Sequence, residues 1–419
     1  MRTPFQRAGT GFRRTSAVDL ARSVMVEAIA RCEVDPAQID EVILGCAGQP
    51  FDAQNVARVA ALRAGVPESV PATTVHRNCA SGMEAITEAL LRVRAGAGGL
   101  FLVGGVEAMS RFPLLFGEAA TEWFTALSRA KGAVARLRTA ARWRPRFLAP
   151  RVALLDGLRD PVSGMMMGET AELLAREFSI PRDEQDAFAL ESHRRAEWAQ
   201  AERRFEVEIA PIVGLDGGTT SVESDNGPRP GLTREQLLKL KPYFDRRFGT
   251  VTVGNSCQLT DGAVALLVAS EARAKELRLA PLGWLVEFAY AGLDPARMGL
   301  GPVHATARLL ERAGRKLDDF PIVELNEAFA AQVLACAKAF ESDDFARTKL
   351  GLERAMGRLD LQRVNVNGGA IALGHPIAAT GARLVLTALH EIRRRRERRA
   401  LATLCVGGGQ GAALALEAA

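Results

Sequence analysis

Three glycine-rich turns carry side chains suited to nucleophilic and acid–base chemistry. The first contains Cys79 in the run Arg-Asn-Cys-Ala-Ser-Gly, at the start of a predicted helix. A helix N-terminus favours a thiolate and offers free backbone N–H groups that can hold an oxyanion. The second turn holds His375 between glycine and proline, an arrangement that suits a rigidly placed general base. The third places Cys405 before three glycines, where a second thiol could exchange a proton.

Each of these residues also has an ordinary structural interpretation when considered alone. Cys79 and Cys405 could be buried packing residues, and His375 could be a hydrogen-bonded loop histidine. The six cysteines are scattered, with no C-x-x-C pair and no histidine at metal-ligand spacing, so neither a metal site nor a disulfide framework is predicted. Free thiols are typical of a reducing compartment, and we expect a cytoplasmic protein.

Strands and helices alternate along the chain, which predicts an α/β fold with a largely parallel sheet. Two halves follow the same strand–helix–strand plan, at 41–46, 79–95 and 100–105 and again at 320–325, 378–393 and 402–407. In such sheets, catalytic groups gather at the carboxyl ends of strands, which is where the three turns lie.

The middle of the chain differs from both halves and is predicted to be an inserted domain. Its expected elements are helices at 122–142, 168–178 and 182–203 and a loop at 225–231. A strand at 249–253 and a buried helix or strand at 262–269 then return to the first half. The predicted units are therefore 1–112, 113–246, 247–272 and 273–419.

Composition and charge exclude several classes of protein. The chain has 419 residues, 48% hydrophobic and 25% charged, and no apolar run approaches the roughly 18 residues that span a bilayer. The net charge of +5 is concentrated in two places, residues 121–151 with eight basic side chains against one acid and residues 391–399 with six arginines against two glutamates. No zinc-finger spacing or RNP-type strand accompanies them, so nucleic-acid binding is not predicted.

Together with Glu324 to Ala330 (Glu-Leu-Asn-Glu-Ala-Phe-Ala), the three turns resemble the four signature loops of the thiolase family, in the same order and at comparable separations. The resemblance covers nearly the whole chain, from Arg2-Thr-Pro-Phe to Cys405-Val-Gly-Gly-Gly. It implies the thiolase fold, in which two duplicated halves form a five-layer αβαβα arrangement with an inserted loop domain. It also implies acyl transfer between 3-oxoacyl-CoA or acetyl-CoA and coenzyme A, in a homodimer or tetramer.

The resemblance assigns a catalytic role to five residues. Cys79 is the acyl-accepting nucleophile, and His375 activates it and helps to bind a thioester oxygen. Cys405 is the second acid/base. Asn326 holds an oxyanion-hole water beside His375, and the backbone N–H groups of Cys79 and Gly407 form the other oxyanion hole. The chemistry fits these residue types, because a thiol with an ordinary pKa near 8.5 needs activation at neutral pH.

Coenzyme A is implied as a substrate, with no tightly bound cofactor. The positions that resemble its pantetheine or phosphate contacts are Arg229, Phe244, Met167, Met298 and Phe329. Considered alone, Arg229 would be a solvated loop charge and the others ordinary core residues. Cys257 stands where family members commonly carry a serine that approaches the pantetheine arm, so contacts there are expected to differ in detail.

The turn at 377–381 resembles that of fatty-acid-oxidation complexes, and with the long insertion it favours a degradative enzyme. The alternatives are a biosynthetic thiolase that forms acetoacetyl-CoA and a non-catalytic lipid-binding or scaffold protein. A decarboxylating synthase of the same fold would need a second histidine where Asn326 stands. The family also has an apolar strand before the Arg-Thr-Pro-Phe motif, so we expect a start upstream of Met1 or a frayed first sheet.

Residues 123–141 carry apolar side chains at alternating spacings of four and three, with arginines over much of the remainder. Such a basic amphipathic helix predicts binding of 121–151 to a membrane surface or to a partner. The alternative is that its apolar face packs on the core. A comparable insertion in trifunctional β-oxidation thiolases meets the membrane and a partner subunit, which favours peripheral membrane contact and a hydratase/dehydrogenase partner.

Overall fold

Two sheets built from runs of buried aliphatic residues organise the fold. The computed structural model describes residues 1–213 and 221–419, so residues 214–220 of the predicted insertion lie outside the described part. The strands are β1 (Gln6–Arg7), β2 (Glu41–Gly45), β3 (Ala72–Val75), β4 (Leu100–Ala108), β5 (Leu114–Phe116), β6 (Pro150–Val152), β7 (Ile212–Val213), β8 (Ser221–Val222), β9 (Thr260–Ala269), β10 (Gly283–Gly292), β11 (Ile322–Leu325), β12 (Arg399–Val406) and β13 (Gln410–Ala418).

Helices cover both sheets and fill the space between them. Their bounds are α1 (Ala17–Arg31), α2 (Val56–Arg63), α3 (Ser81–Arg94), α4 (Glu118–Arg129), α5 (Ala133–Ala140), α6 (Ala153–Gly157), α7 (Met167–Glu177), α8 (Arg182–Ala201), α9 (Arg234–Leu238), α10 (Glu271–Glu276), α11 (Gly301–Ala313), α12 (Ala330–Glu341), α13 (Asp343–Phe345), α14 (Ala370–Leu373) and α15 (Ile377–Arg395). Among the described residues, no helix is long and apolar enough to cross a membrane.

Both sheets are mixed rather than largely parallel. The first has the strand order β1-β9-β4-β2-β3 and the second the order β10-β13-β12-β11. Parallel pairing joins β3, β2 and β4 in the first sheet and β11 and β12 in the second. The prediction of a largely parallel sheet is wrong because the last strand of each half, β9 or β13, returns antiparallel to the strand beside it.

Five layers result from the way the helices pack. Helices α3 and α15 pack against each other between the two sheets, and their apolar faces share one core with inward residues such as Val103 and Leu404. Helices α1 and α2 cover the outer face of the first sheet, while α11 and α12 cover the outer side of the second half. The predicted five-layer αβαβα arrangement of two similar halves is confirmed.

The duplication brings two of the glycine-rich turns to equivalent places. In the first half, the edge strand β3 leads through Cys79 into the central helix α3. In the second half, Val364 makes a single parallel bridge to Val323 of β11, and the chain then passes through His375 into the central helix α15. The two turns therefore face each other across the boundary between the halves.

Two predicted elements take a different form. The helix expected at 122–142 is a pair, α4 and α5, because the chain turns at Gly132 with φ of +84° and Trp123 Nε1 then donates to the carbonyl of Thr139 at 2.8 Å. The strand expected at 249–253 is absent from this described segment. The buried Glu172 carboxylate accepts the N–H groups of Thr250 and Val251, which leaves them unavailable to a sheet.

The sequence predicted fraying at one edge of the first sheet. At that edge, β9 is paired with the N-terminal segment over part of its length. Met1 to Arg7 run along β9 from Ala265 back to Thr260, through hydrogen bonds such as Thr3 N–H to Ala263 O at 2.9 Å. Beyond Ala265, residues 266–269 of β9 line an apolar cleft of about 690 Å³ that also touches α3 and α15.

Candidate active site

The nucleophile candidate Cys79 lies in a tight turn between β3 and α3. Ser81 Oγ accepts the N–H of Arg77 at 2.9 Å and donates to the carbonyl of Asn78 at 2.7 Å, which closes the turn. Asn78 has φ of +44°, a left-handed conformation that asparagine adopts more readily than most residues. The sequence prediction that Cys79 stands at the beginning of the helix agrees with this geometry.

His375 reaches the thiol from the second half of the chain. Its Nε2 lies 3.3 Å from Cys79 Sγ, and its Nδ1 lies 2.6 Å from the hydroxyl of Thr380, one turn into α15. The Thr380 hydroxyl donates to the carbonyl of Pro376 at 3.1 Å, so it is left to accept a proton from Nδ1. The neutral ring then carries its hydrogen on Nδ1 and presents the Nε2 lone pair to the thiol.

Burial keeps both partners neutral before a substrate arrives. It raises the pKa of Cys79 to about 11, although the backbone N–H groups of Gly407 and of Cys79 itself act to lower that pKa. Burial, helped by the charge of Arg383, lowers the pKa of His375 to about 4. Cys79 is therefore not ionised in the resting site, despite its position at a helix N-terminus. His375 must take the proton as the thiol reacts. These two N–H groups are the donors that the sequence predicted for an oxyanion hole.

The main chain of His375 is clamped to the strand-like segment before β9. Its N–H lies 3.1 Å from Gln258 O and 3.2 Å from Thr260 Oγ1. Gly374 has φ of +100°, and a Cβ there would fall 2.1 Å from Thr260 Oγ1, so only glycine allows this approach. These contacts fix the ring position that the sequence could only suggest.

Cys405 and most of the predicted coenzyme A contacts form one apolar cluster. Met167, Met298, Phe244 and Phe329 pack around Cys405, and the Phe244 and Phe329 rings meet edge to face at 6.0 Å. Burial, with the nearby thiols adding repulsion, raises the pKa of Cys405 well above its ordinary value. A thiol in this setting is a neutral proton donor at the end of β12.

Cys257 lies beside the same cluster, where its N–H donates to the carbonyl of Ala328 at 3.0 Å. Burial raises its pKa to about 12, and the neighbouring Cys79 thiol adds to the rise. The effect of Cys79 on this pKa places Cys257 near the nucleophile candidate, whereas its predicted contact with the pantetheine arm stays a prediction.

Asn326 is fully buried just after β11. Its backbone N–H donates to Thr403 O at 3.0 Å, but neither polar atom of its side chain has a partner among the described residues. Buried amides are nearly always hydrogen-bonded, so this side chain marks a place for a water or a substrate oxygen.

Arg229 is the predicted contact that the structure does not bring into the cluster. It lies in the loop at 225–231, where its N–H donates to Nδ1 of His193 at 3.2 Å. Partial burial lowers its pKa, and within the described ranges its guanidinium has no hydrogen-bond or ion-pair partner. An unpaired half-buried cation beside the site suits a phosphate group.

Two residues of the site were not predicted from the sequence. Thr380 orients His375, and the signal available was a hydroxyl one helical turn after a Gly-His-Pro motif. Asn78 donates from Nδ2 to the carbonyl of Gly407 at 2.8 Å. That contact joins positions 329 residues apart, so no local pattern announces it.

Comparisons with known proteins agree with the fold and with the site. Residues 1–272 match the family model described as thiolase, N-terminal domain, and residues 279–418 match thiolase, C-terminal domain. The chain is 40% identical to proteins named 3-ketoacyl-CoA thiolase from Yersinia enterocolitica and Serratia proteamaculans, over 100% of this chain and 95% of each relative.

Solved structures give the same result. The Bacillus anthracis acetyl-CoA acetyltransferase superposes with a TM-score of 0.87 at 39% identity, covering 100% of this chain and 97% of that one. The human mitochondrial 3-ketoacyl-CoA thiolase in complex with CoA superposes with a TM-score of 0.86 at 34% identity, covering 100% and 96%. From the signature turns, the five-layer fold and these matches, the chain belongs to the thiolase family.

Proposed function

We propose that this protein is a degradative thiolase that cleaves 3-oxoacyl-CoA with coenzyme A. The observation that carries the proposal is the 3.3 Å approach of His375 Nε2 to Cys79 Sγ under the backbone N–H of Gly407. The names of the full-length relatives, 3-ketoacyl-CoA thiolase, support the degradative direction over the biosynthetic one.

In the first half-reaction, His375 takes the proton of Cys79 while the sulfur attacks the 3-oxo carbon of the substrate. The oxygen of that carbon becomes an oxyanion and accepts hydrogen bonds from the N–H groups of Cys79 and Gly407. Collapse of this adduct breaks the C2–C3 bond, and its electron pair moves to C2. Cys405 protonates C2, so acetyl-CoA leaves and the shortened acyl group stays on Cys79.

In the second half-reaction, coenzyme A takes the place of acetyl-CoA. The Cys405 thiolate removes the proton of the coenzyme A thiol, and the resulting sulfur attacks the acyl carbon on Cys79. The second adduct collapses with expulsion of the Cys79 sulfur, which recovers its proton from His375. Asn326 would hold a water that donates to the thioester oxygen, which gives its unpaired side chain a partner.

Coenzyme A itself would lie between the core and the loop domain. We assign residues 1–112 and 247–272 to the first half, 113–246 to the loop domain and 273–419 to the second half. Met167, Phe244, Met298 and Phe329 would contact the pantetheine arm next to Cys257. Arg229 would pair with a phosphate of the nucleotide end.

A thiolysis assay over 3-oxoacyl-CoA substrates of increasing chain length tests the proposal. We expect coenzyme A-dependent loss of the substrate, abolished in Cys79→Ala and slowed in His375→Ala. Acyl-CoA should also protect Cys79 from alkylation by iodoacetamide. A scaffold without activity would give no turnover with any chain length, and that result would reject the enzyme.

We further propose that the α4–α5 hairpin is a peripheral membrane contact. Val134 and Leu137 are 67% and 73% exposed, and Arg136 and Arg138 flank Leu137 in the sequence. Only Ala120 of the two helices is buried, so the alternative in which the apolar face packs on the core has no support from these exposures. Apolar side chains among arginines suit a surface of anionic lipids.

Sedimentation with vesicles tests this contact. The protein should bind vesicles rich in phosphatidylglycerol, and binding should weaken as salt is added. A variant with Arg136, Arg138 and Arg142 changed to glutamine should bind less, and equal binding would contradict the proposal. Assembly as a homodimer or tetramer, a hydratase/dehydrogenase partner subunit and a cytoplasmic location belong to the same functional proposal.

A further inference from the structure

Asn78 links the nucleophile turn to the oxyanion turn of the other half. Its Nδ2 donates to the carbonyl of Gly407 at 2.8 Å. The backbone N–H of the same Gly407 lowers the pKa of the thiol of Cys79, the next residue after Asn78. Two consecutive residues of the first half, Asn78 and Cys79, therefore interact with the two peptide groups of one glycine, Asn78 through a hydrogen bond to its carbonyl.

The neighbours of Gly407 lie at ordinary contact distances rather than closer. A Cβ built on Gly407 would meet no heavy atom closer than 3.5 Å among the described residues, and the nearest is Met167 Sδ. The next two residues, Gly408 and Gly409, have φ of +86° and +75°. Three consecutive glycines carry much backbone freedom, so hydrogen bonds are needed to hold the turn in one orientation.

A second set of side-chain contacts joins the same two turns, further from the sulfur of Cys79. Arg77 Nη1 donates to the side-chain oxygen of Gln410 at 3.1 Å, and its guanidinium lies 4.1 Å above the ring of Tyr290. Two hydrogen bonds of Arg77 to Glu84 on α3 hold the guanidinium in place. Arg77 thus fastens the two halves, while Asn78 is the one side chain among the described residues that donates to the carbonyl of Gly407.

We propose that Asn78 is a positioning residue for acyl transfer, because its side chain holds Gly407 so that the Gly407 N–H points at the Cys79 sulfur and at the acyl oxygen that forms there. This inference rests on the function proposed above. Asparagine suits the position twice over, since it accepts the left-handed backbone and carries the amide donor that the Gly407 carbonyl needs.

Replacing Asn78 by glycine separates the donor from the backbone conformation. Asn78→Gly keeps φ of +44° without strain and removes the amide. Arg396→Gly is the matched control, because Arg396 also has positive φ, +56°, but ends α15 far along the chain from the site. Thermal unfolding of both variants establishes that they are folded.

Two measurements are made on each protein, thiolysis kinetics and the pH dependence of Cys79 alkylation by iodoacetamide. For Asn78→Gly we expect kcat to fall about tenfold to a hundredfold, as for a displaced oxyanion donor, with KM for coenzyme A unchanged. The alkylation profile should shift to higher pH, because the thiolate loses a well-aimed N–H donor. Arg396→Gly should match the wild type in both.

Asn78→Asp provides a second variant with the same shape and the same tolerance of positive φ but no donor. It should lose at least as much activity as Asn78→Gly, because a carboxylate would repel the Gly407 carbonyl. If both variants keep kcat and the alkylation profile within twofold of the wild type, the positioning role is rejected. If the wild type itself shows no thiolysis, the proposed function fails, and the alkylation profiles still decide whether Asn78 acts on Gly407.

Discussion

The hydrogen bond between His375 and Thr380 gives the sharpest prediction for catalysis. Thr380→Val keeps the shape of a fully buried side chain but removes the oxygen that lies 2.6 Å from Nδ1. The ring would then favour the tautomer with its hydrogen on Nε2, which points at the Cys79 thiol instead of accepting from it. To act as a base the ring must return to a tautomer whose Nδ1–H has no partner.

The size of the expected rate loss follows from the free-energy cost of leaving the Nδ1–H of His375 without a partner. Leaving a buried donor unsatisfied costs about 1–3 kcal/mol. Because each 1.36 kcal/mol changes a rate tenfold, kcat/KM should fall roughly 5-fold to 150-fold. The loss should appear in kcat, because the coenzyme A contacts lie in a different cluster.

Initial rates of thiolysis at saturating coenzyme A would measure the effect, and Cys79 alkylation at fixed pH should slow in parallel. Thr380→Ser is the matched control, since it keeps the hydroxyl that accepts from Nδ1 and donates to Pro376. A Thr380→Val enzyme within twofold of the wild type would refute the tautomer argument. Equal losses in the serine and valine variants would refute it as well.

Three further outcomes are expected. Cys405→Ser should slow the acylation of Cys79 by 3-oxoacyl-CoA, followed in the intact mass, by about 10²–10⁴-fold, because a hydroxyl is a poor acid at C2 and C2 is protonated in that step. Burial lowers the pKa of His193 to about 4. As the pH falls below 6.5, the unfolded chain therefore binds a proton at this histidine that the folded protein does not bind, which destabilises the fold. His193→Gln should reduce the loss of unfolding free energy between pH 7 and pH 4, measured by urea unfolding, by up to about 3 kcal/mol. Arg2→Met should lower the free energy of unfolding by about 3–5 kcal/mol in the same assay, since it leaves the buried carboxylates of Asp225 and Glu208 unpaired. A change below 1 kcal/mol would show that these two ion pairs do not stabilise the fold.

The periodic patterns of the buried strands and of the two central helices predicted these elements, and the resemblance to the thiolase family implied the layered arrangement. It failed where a tertiary contact replaced a local preference. The segment 249–253 is rich in β-branched residues, yet the carboxylate of Glu172 takes its N–H groups. The basic helix continues in the pattern past Gly132, but packing of Trp123 against α5 favours a hairpin.

For the site, the sequence alone led us to propose which residues carry the chemistry, because Cys79, His375, Asn326 and Cys405 stand in motifs whose order resembles that of the family. Only the tertiary structure decided their chemical state. Burial, which depends on every layer around the turns, outweighs the helix N-terminus and holds Cys79 and His375 neutral. The partners that orient the catalytic groups, such as Asn78 for Gly407, come from distant parts of the chain, and hydrogen bonds across that separation exist only once the two halves have packed together.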